Sequence, residues 1–229
     1  ATIHVEGRDF NVHATAADPA GNVSRLEVTV QAAPRFTDVP VNSAAFPSIE
    51  ELSRRNILAG YSDGSFRPDA RITRAQFAKM LVVARAWPTI KPMEGRFTDI
   101  PTTDWAYSYV ETVVARGAMR GYGDGTFAPG ATVTRAEVAH ALVVAAGWKP
   151  QAPGRDIFLD VPRTHPEASY IAAARAREVI TSDEEGYFKP SAPAGRADVA
   201  LMLHAMLVKL KEPPAPDEVP EHAETGPRE

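Results

Sequence analysis

Cysteine is absent from the 229-residue chain, which excludes a disulfide framework and a thiolate metal site. No apolar run approaches the roughly 20 residues needed to cross a bilayer, so membrane insertion is not expected. The formal net charge of -4 carries no basic excess of the kind nucleic-acid binders show, so no nucleic-acid partner is expected. Histidine is sparse: His4, His13, His140, His165, His204 and His222 form neither a His-x-x-x-His nor a His-Glu-x-x-His spacing. A phosphate loop is also missing. The acid pairs Glu50-Glu51 and Glu184-Glu185 read as solvated charge, not as a spaced carboxylate dyad. The chain is therefore expected to be no enzyme and to need no cofactor or metal. Ala1 opens no signal peptide and falls inside a strand-like pattern, so the sequence reads as a piece of a longer, exported protein.

What is present is repetition, which must be sought first because it decides the fold. Thr134-Arg135-Ala136-Glu137 follows Asp124-Gly125-Thr126-Phe127-Ala128-Pro129, and both recur 61 positions earlier and later. The earlier copy is Asp63-Gly64-Ser65-Phe66-Arg67-Pro68 with Thr73-Arg74-Ala75-Gln76; the later is Glu185-Gly186-Tyr187-Phe188-Lys189-Pro190 with Gly195-Arg196-Ala197-Asp198. Phe36-Thr37-Asp38, Phe97-Thr98-Asp99 and Phe158-Leu159-Asp160 open the three copies at the same step.

Each copy has one internal plan. A first helix is expected after Phe-x-Asp, from about Trp105 to Arg116 in the middle copy, with Trp105, Tyr109, Val110, Val113 and Val114 facing a core. Ile49 and Leu52, and Ile171 and Ala174, are the counterparts. Asn56 and Gly117 suit the left-handed residue that closes such a helix, and Glu178 suits it less well. Asp-Gly then makes a turn requiring positive φ, and Phe66, Phe127 and Phe188 act as apolar plugs. Thr73 with Gln76 and Thr134 with Glu137 are capping boxes that start the second helix. Behind them run apolar stripes: Phe77, Met80, Leu81, Ala84; Val138, Ala141, Leu142, Ala145; Val199, Met202, Leu203, Met206. Gly147 closes the middle one. Three such stripes face one another most economically as a pseudo-threefold cluster.

The expected organisation is a β segment at 1–33, repeats at 34–90, 91–151 and 152–210, and a disordered tail at 211–229. In the first segment Ile3 and Val5, then Phe10, Val12 and Ala14, and later Leu26, Val28 and Val30, alternate as in half-buried strands, giving a short N-terminal β-hairpin. The pattern resembles the last strands of bacterial immunoglobulin-like domains. Asp18 and Asn22 suit the turn; as calcium ligands they fall far short of six.

Phe-x-Asp-[Val/Ile]-Pro, Gly-Tyr-x-Asp-Gly-[Ser/Thr]-Phe-x-Pro and Thr-Arg-Ala-[Glu/Gln], in fixed order at fixed period over about residues 35–210, resemble the S-layer homology domain. The resemblance implies a mainly α fold of three helix-loop-helix repeats in a pseudo-threefold bundle. It implies non-covalent anchoring at the cell wall through an acidic, often pyruvylated, secondary cell-wall polysaccharide gripped between repeats. The location implied is extracellular, in the cell wall or S-layer. Mapped onto this chain, the glycan-binding candidates are Arg74, Arg135, Arg196, Asp63, Gly64, Asp124, Gly125, Gly186 and Trp105.

Physical chemistry supports the arginines separately. A cation in a helix's first turn opposes the macrodipole, so its recurrence in all three copies indicates another use. A guanidinium clamps a carboxylate through two parallel hydrogen bonds. The competing reading is that each arginine pairs with an acid of a neighbouring repeat and only knits the bundle. Trp105 likewise reads either as a sugar-stacking ring or as a core aromatic; its counterparts are Ala44 and Pro166, with Phe46 as a nearby substitute in the first copy. Gly195, Ser182, Glu185 and Glu178 depart from the pattern, so the third groove is expected to be degenerate. The alternatives are a protein–protein assembly module self-associating in a lattice or filament, favoured by unpaired strand edges, and a peptidoglycan-binding anchor of an upstream enzyme.

Overall fold

The computed structural model describes residues 10–17, 19–20, 23–30 and 34–211. Expectations resting on Ile3, Val5, Asp18, Asn22 and the tail beyond Lys211 lie outside the described residues. Two units, Ala1–Pro68 and Asp69–Glu229, divide the chain within the first repeat, between its loop and its second helix.

In the first unit, β1 (Phe10–Ala17) pairs antiparallel with β2 (Val23–Val30). Phe10, Val12 and Ala14 stand opposite Val30, Val28 and Leu26, so the two alternating patterns are in phase. Helix α1 (Phe46–Arg54) follows and buries Ile49 and Leu52. Asn56 closes it at φ 55, with the Asn56 and Ile57 amides returning to the carbonyls of Ser53 and Leu52.

The second unit carries α2 (Arg74–Ala84), α3 (Tyr107–Ala115), α4 (Arg135–Ala146), α5 (Ala168–Ala176) and α6 (Arg196–Lys209). Helix α2 packs on α3, α4 on α5, and α4 also on α6. Both capping boxes form: Thr73 with Gln76 and Thr134 with Glu137. Gly195 offers no side-chain cap to α6. All twelve residues of the three stripes are buried, but so are Ala78, Val82, Ala139, His140, Val143, Ala200 and Leu207. These second helices are thus enclosed on more than one side, wider than one apolar stripe requires. Gly117 and Glu178 close α3 and α5 at φ 71 and 57, and Gly147 closes α4 at φ 74.

The segments entering α2, α4 and α6 join edge to edge. Ile72 N–H donates to Ala194 C=O, Ala194 N–H to Val133 C=O, and Val133 N–H to Ile72 C=O, a closed ring of three backbone hydrogen bonds. A second ring runs from the first helical amides: Arg74 to Ala131, Arg135 to Ala192 and Arg196 to Ala70. Helix amides that would otherwise be orphaned are satisfied by another repeat. The connection is therefore made where the Thr-Arg-Ala motif begins.

One expectation is corrected here. Helix α3 begins at Tyr107, and Trp105 lies before it with 56% of its surface exposed. Trp105 is no core aromatic. Tyr107 holds that place, buried with its hydroxyl donating to Pro92 C=O at 2.9 Å, while Tyr109 and Val114 are half-buried. Phe46 stands in the register of Tyr107, at the first position of α1, and does not substitute for Trp105.

Candidate functional site

The Phe-x-Asp aspartate shapes the loop that precedes each second helix. Asp38 accepts the amides of Phe66 and Arg67, both at 2.7 Å. Asp99 does the same for Phe127 and Ala128 at 2.9 and 2.7 Å, and Asp160 for Phe188 and Lys189 at 2.9 and 2.7 Å. The second residue of each pair is left-handed: Arg67 at φ 58, Ala128 at 54, Lys189 at 58. Two successive amides converge on one carboxylate, which offsets the strain of a positive φ outside glycine. Burial alone would raise the Asp38 pKa, but the Phe66 and Arg67 amides outweigh it and hold the carboxyl below its usual range.

Asp63 and Asp124 make Asx turns. Asp63 accepts the Ser65 hydroxyl at 2.6 Å and amide at 3.0 Å and pairs with Arg67 at 2.9 Å; these bonds hold its carboxyl well below the usual range. Asp124 accepts the Thr126 hydroxyl at 2.7 Å and amide at 3.0 Å, which lowers its pKa likewise. Gly64, Gly125 and Gly186 supply the positive φ of the turn at 80, 83 and 90°. The third loop departs: Asp183 stands where Tyr61 and Tyr122 stand, and pairs with Lys189 at 2.7 Å.

Each plug is fully buried against the opening phenylalanine, with centroids 5.3 to 5.4 Å apart. A Cβ on Gly121 would lie 2.1 Å from the Phe97 ring, and one on Gly60 would lie 2.3 Å from Phe36. Ser182 occupies this place in the third copy, and its ring pair lies flat at 17° against 40° and 49° in the others.

The motif arginines reach the next repeat. Arg74, 2% exposed, donates from Nε to Phe127 C=O at 2.9 Å and from Nη2 to Arg120 C=O at 2.5 Å, and pairs through Nη1 with Glu137. Its guanidinium lies 4.4 Å from the Phe127 ring centroid and 5.0 Å from that of Tyr122. Glu137 also completes its capping box, accepting the Thr134 amide at 2.8 Å. Arg135 repeats the arrangement, donating to Phe188 C=O at 2.7 Å and pairing with Asp198. Arg196 is buried and its amide donates to Ala70 C=O. These bonds match the knitting reading in geometry. They leave room for a binding role at the exposed edge beside Arg74.

There a cavity of about 150 Å³ opens. Its floor is Arg74, Ala118 and Met119; its rim is Arg120, Gly121 and Tyr122; Glu137, His140 and Glu167 complete it. Among the sequence-named candidates Arg74 alone lines it; Trp105, Asp124 and Gly125 do not. Trp105 instead stands with Tyr109 about the exposed Lys79, whose Nζ is 5.9 Å from each ring centroid. Sequence reasoning missed His140 and Glu167: His140 Nδ1 meets Glu167 Oε2 at 2.6 Å, and Glu167 Oε1 lies 3.9 Å from Arg120. The only advance signal was a histidine inside an otherwise apolar helix face. Among the described residues, no group of three or more His, Asp or Glu could hold a metal, and no helix is long and apolar enough to cross a membrane.

Comparison with known proteins agrees with the motifs. The family model for the S-layer homology domain matches residues 35–78, 96–139 and 157–200. A cellulosome-anchoring protein of Acetivibrio thermocellus is 38% identical over 108 residues, covering 44% of this chain and 24% of that protein. A surface layer protein of Brevibacillus choshinensis is 32% identical over 139 residues, 57% of this chain and 12% of its own length. An endoglucanase of a Bacillus species is 28% identical over 189 residues, 76% of this chain and 19% of that protein. The chain thus spans less than a quarter of these relatives. Family and surface-layer relatives agree on an extracellular location at the cell wall or S-layer. With three matches that together cover more than half of its residues, the chain belongs to the S-layer homology domain family.

Proposed function

We propose that the repeats form a pseudo-threefold, non-catalytic anchor that holds an exported protein on the cell wall by gripping an acidic, pyruvylated secondary polysaccharide between repeats. The observation that carries this reading is the cavity beside Arg74, where a buried guanidinium, the exposed Arg120 and the half-exposed Tyr122 ring converge at a junction of repeats. A sugar presents an apolar face to a ring and a carboxylate to a guanidinium, and this wall offers both. Arg74, Arg135 and Arg196 hold the loops that wall the grooves. Asp63, Asp124, Gly64, Gly125 and Gly186 fix the loop backbone that a glycan would meet. Trp105, exposed beside Lys79, supplies a stacking ring found in one copy only, so the grooves are unequal. The Asp183–Lys189 pair in place of the loop tyrosine supports a degenerate third groove.

Co-sedimentation with wall sacculi, before and after acid extraction of the secondary polymer, tests the reading. Tyr122→Ala and Trp105→Ala are the variants of choice, because both rings are exposed and their loss leaves the core intact. Pelleting that vanishes on extraction and weakens in the variants supports the glycan anchor. Pelleting that survives extraction moves the ligand to peptidoglycan. A folded protein that never pellets refutes wall anchoring and leaves protein–protein assembly, including self-association in a surface layer.

A further inference from the structure

The cavity beside Arg74 differs from its counterparts in one respect that the anchoring motifs do not require. In register with His140 stand Lys79 and Leu201; with Glu167, Ala45 and Ala106; with Arg120, Ala59 and Thr181. The imidazole, its carboxylate and the rim cation belong to this junction alone. Helix α4 carries His140, 5% exposed, with its ring centroid 3.9 Å from that of Tyr170 of α5 and the two rings tilted by 32°. Glu167, the residue before α5, receives His140 Nδ1 at 2.6 Å.

The tautomer follows from that bond. The Glu167 carboxyl is held below its usual range foremost by the His140 hydrogen bond, against the effect of burial, with the nearby Arg120 guanidinium contributing. An ionised carboxylate only accepts, so Nδ1 carries the hydrogen and, in the neutral ring, Nε2 keeps its lone pair. That Nε2 is buried and has no hydrogen-bond partner. A bare imidazole nitrogen inside a protein is an open seat for a proton.

The charges around it explain when the seat fills. Facing His140 from α5 and its approach are Glu167 and His165; from the loop, Arg120; from α2, Arg74; from α4 itself, Glu137. Arg74 is matched by Glu137 and Arg120 by Glu167, so with neutral His140 the cavity has no cation to spare. An entering carboxylate would be unbalanced in a partly desolvated site, and such an imbalance is relieved by protonation of the nearest base. Resting on the glycan-anchor reading, we infer that His140, positioned by Glu167, takes up a proton when an anionic saccharide enters this groove. His140 thereby makes the groove select charged over neutral sugar and hold it more tightly as pH falls.

The linkage has a definite sign. A ligand that raises the proton affinity of His140 is itself bound more tightly by the protonated protein, because the coupling is reciprocal. Calorimetric titration of the full chain with a methyl hexoside bearing a pyruvate ketal, between pH 5.5 and 7.5, tests this. The methyl ester of the same ketal is the uncharged control. The Kd of the acid is expected to fall by about three- to tenfold toward the lower pH, within the tenfold per pH unit that one coupled proton allows. The ester should show no such trend. His140→Gln should flatten the profile, whereas His165→Gln should keep it. Glu167→Gln should tighten binding of the acid at pH 7.5 by removing a negative charge; a merely structural Glu167 would give weaker binding. Imidazole nitrogen shifts of His140 in the unmutated protein, free and ligand-bound, read the same proton without a variant. A wild-type profile matched by His140→Gln, or nitrogen shifts unmoved by the ligand, overturns the role of His140 while the anchor reading stands. No binding of either sugar at any pH overturns both.

Discussion

Truncation of Arg74 to alanine separates the two readings of the motif arginine. The side chain is almost wholly buried and donates to two carbonyls, Phe127 at 2.9 Å and Arg120 at 2.5 Å, besides pairing with Glu137. Breaking a buried ion pair from one side costs about 3–5 kcal/mol when the other charge stays buried. Here Glu137 is 32% exposed and still serves Thr134, so its carboxylate rehydrates and the figure falls. Each orphaned carbonyl adds about 1–3 kcal/mol, reduced because the adjoining cavity admits water. The net expectation is a loss of about 2–4 kcal/mol, or roughly 5–15 °C in Tm for a chain of this size. Arg74→Lys should recover less than half, since an ammonium cannot copy the planar fork. The three tryptophans, Trp87, Trp105 and Trp148, all lie in the second unit, so their fluorescence during urea unfolding reports the unit that holds Arg74. An Arg74→Ala protein that unfolds within about 0.5 kcal/mol of the parent refutes the structural argument and assigns the arginine to the ligand alone.

Asp99→Ala should cost about 2–4 kcal/mol, because it removes the acceptor of two amides and the support of a left-handed Ala128; faster hydrogen exchange at Phe127 and Ala128 is the local check. Gly121→Ala drives a Cβ to 2.1 Å from Phe97 and 2.8 Å from Thr126 C=O and should destabilise by about 2–4 kcal/mol. Gly123→Ala meets nothing within 4 Å and should stay within about 0.5 kcal/mol, so equal urea midpoints for the two variants would contradict the packing argument. Asp38, Asp124 and Asp183 all have depressed folded-state pKa values, from backbone or hydroxyl donors and, at Asp183, foremost from Lys189. A depressed carboxyl contributes stability that is present above its unfolded pKa of about 3.9 and is lost as pH falls through the folded value. Urea midpoints should therefore hold steady down to about pH 5 and drop below about pH 4, and a midpoint unchanged at pH 2.5 would refute the assignment.

The parts of this fold that the sequence made legible are those in which a residue's neighbours lie within one repeat. Capping boxes at Thr73 and Thr134, left-handed closers at Asn56, Gly117 and Glu178, and the plugs at Phe66, Phe127 and Phe188 all depend on local spacing. Trp105 and Tyr107 could not be told apart that way, because both stand near the start of α3 and only packing against other segments decides which is enclosed. The His140–Glu167 bond crosses from α4 to the start of α5 and has no counterpart in the other copies to mark it.

The arginine ties had a readable signal of another kind. Arg74 to Glu137 and Arg135 to Asp198 are both separated by 63 residues, one repeat period plus the two positions from the second to the fourth motif letter. A cation at the second letter and an acid at the fourth, each repeated, specify a pair between consecutive copies as directly as opposite charges four apart specify one along a helix. The first copy shows the same rule from its exception, with Gln76 where the others have Glu137 and Asp198. Gln76 caps α2 as well as an acid would, since a neutral amide oxygen suffices for a capping box, but it offers an arginine no charge. At Glu137 and Asp198 the fourth-letter acid thus serves the arginine of the preceding copy, a pairing that capping alone does not require. Gln76→Glu should leave the α2 cap intact while adding a carboxylate at this register, whereas Glu137→Gln should keep the α4 cap yet strip Arg74 of its partner. If Glu137→Gln proves as stable as Gln76→Glu, the pairing of second and fourth letters is not what holds successive repeats together.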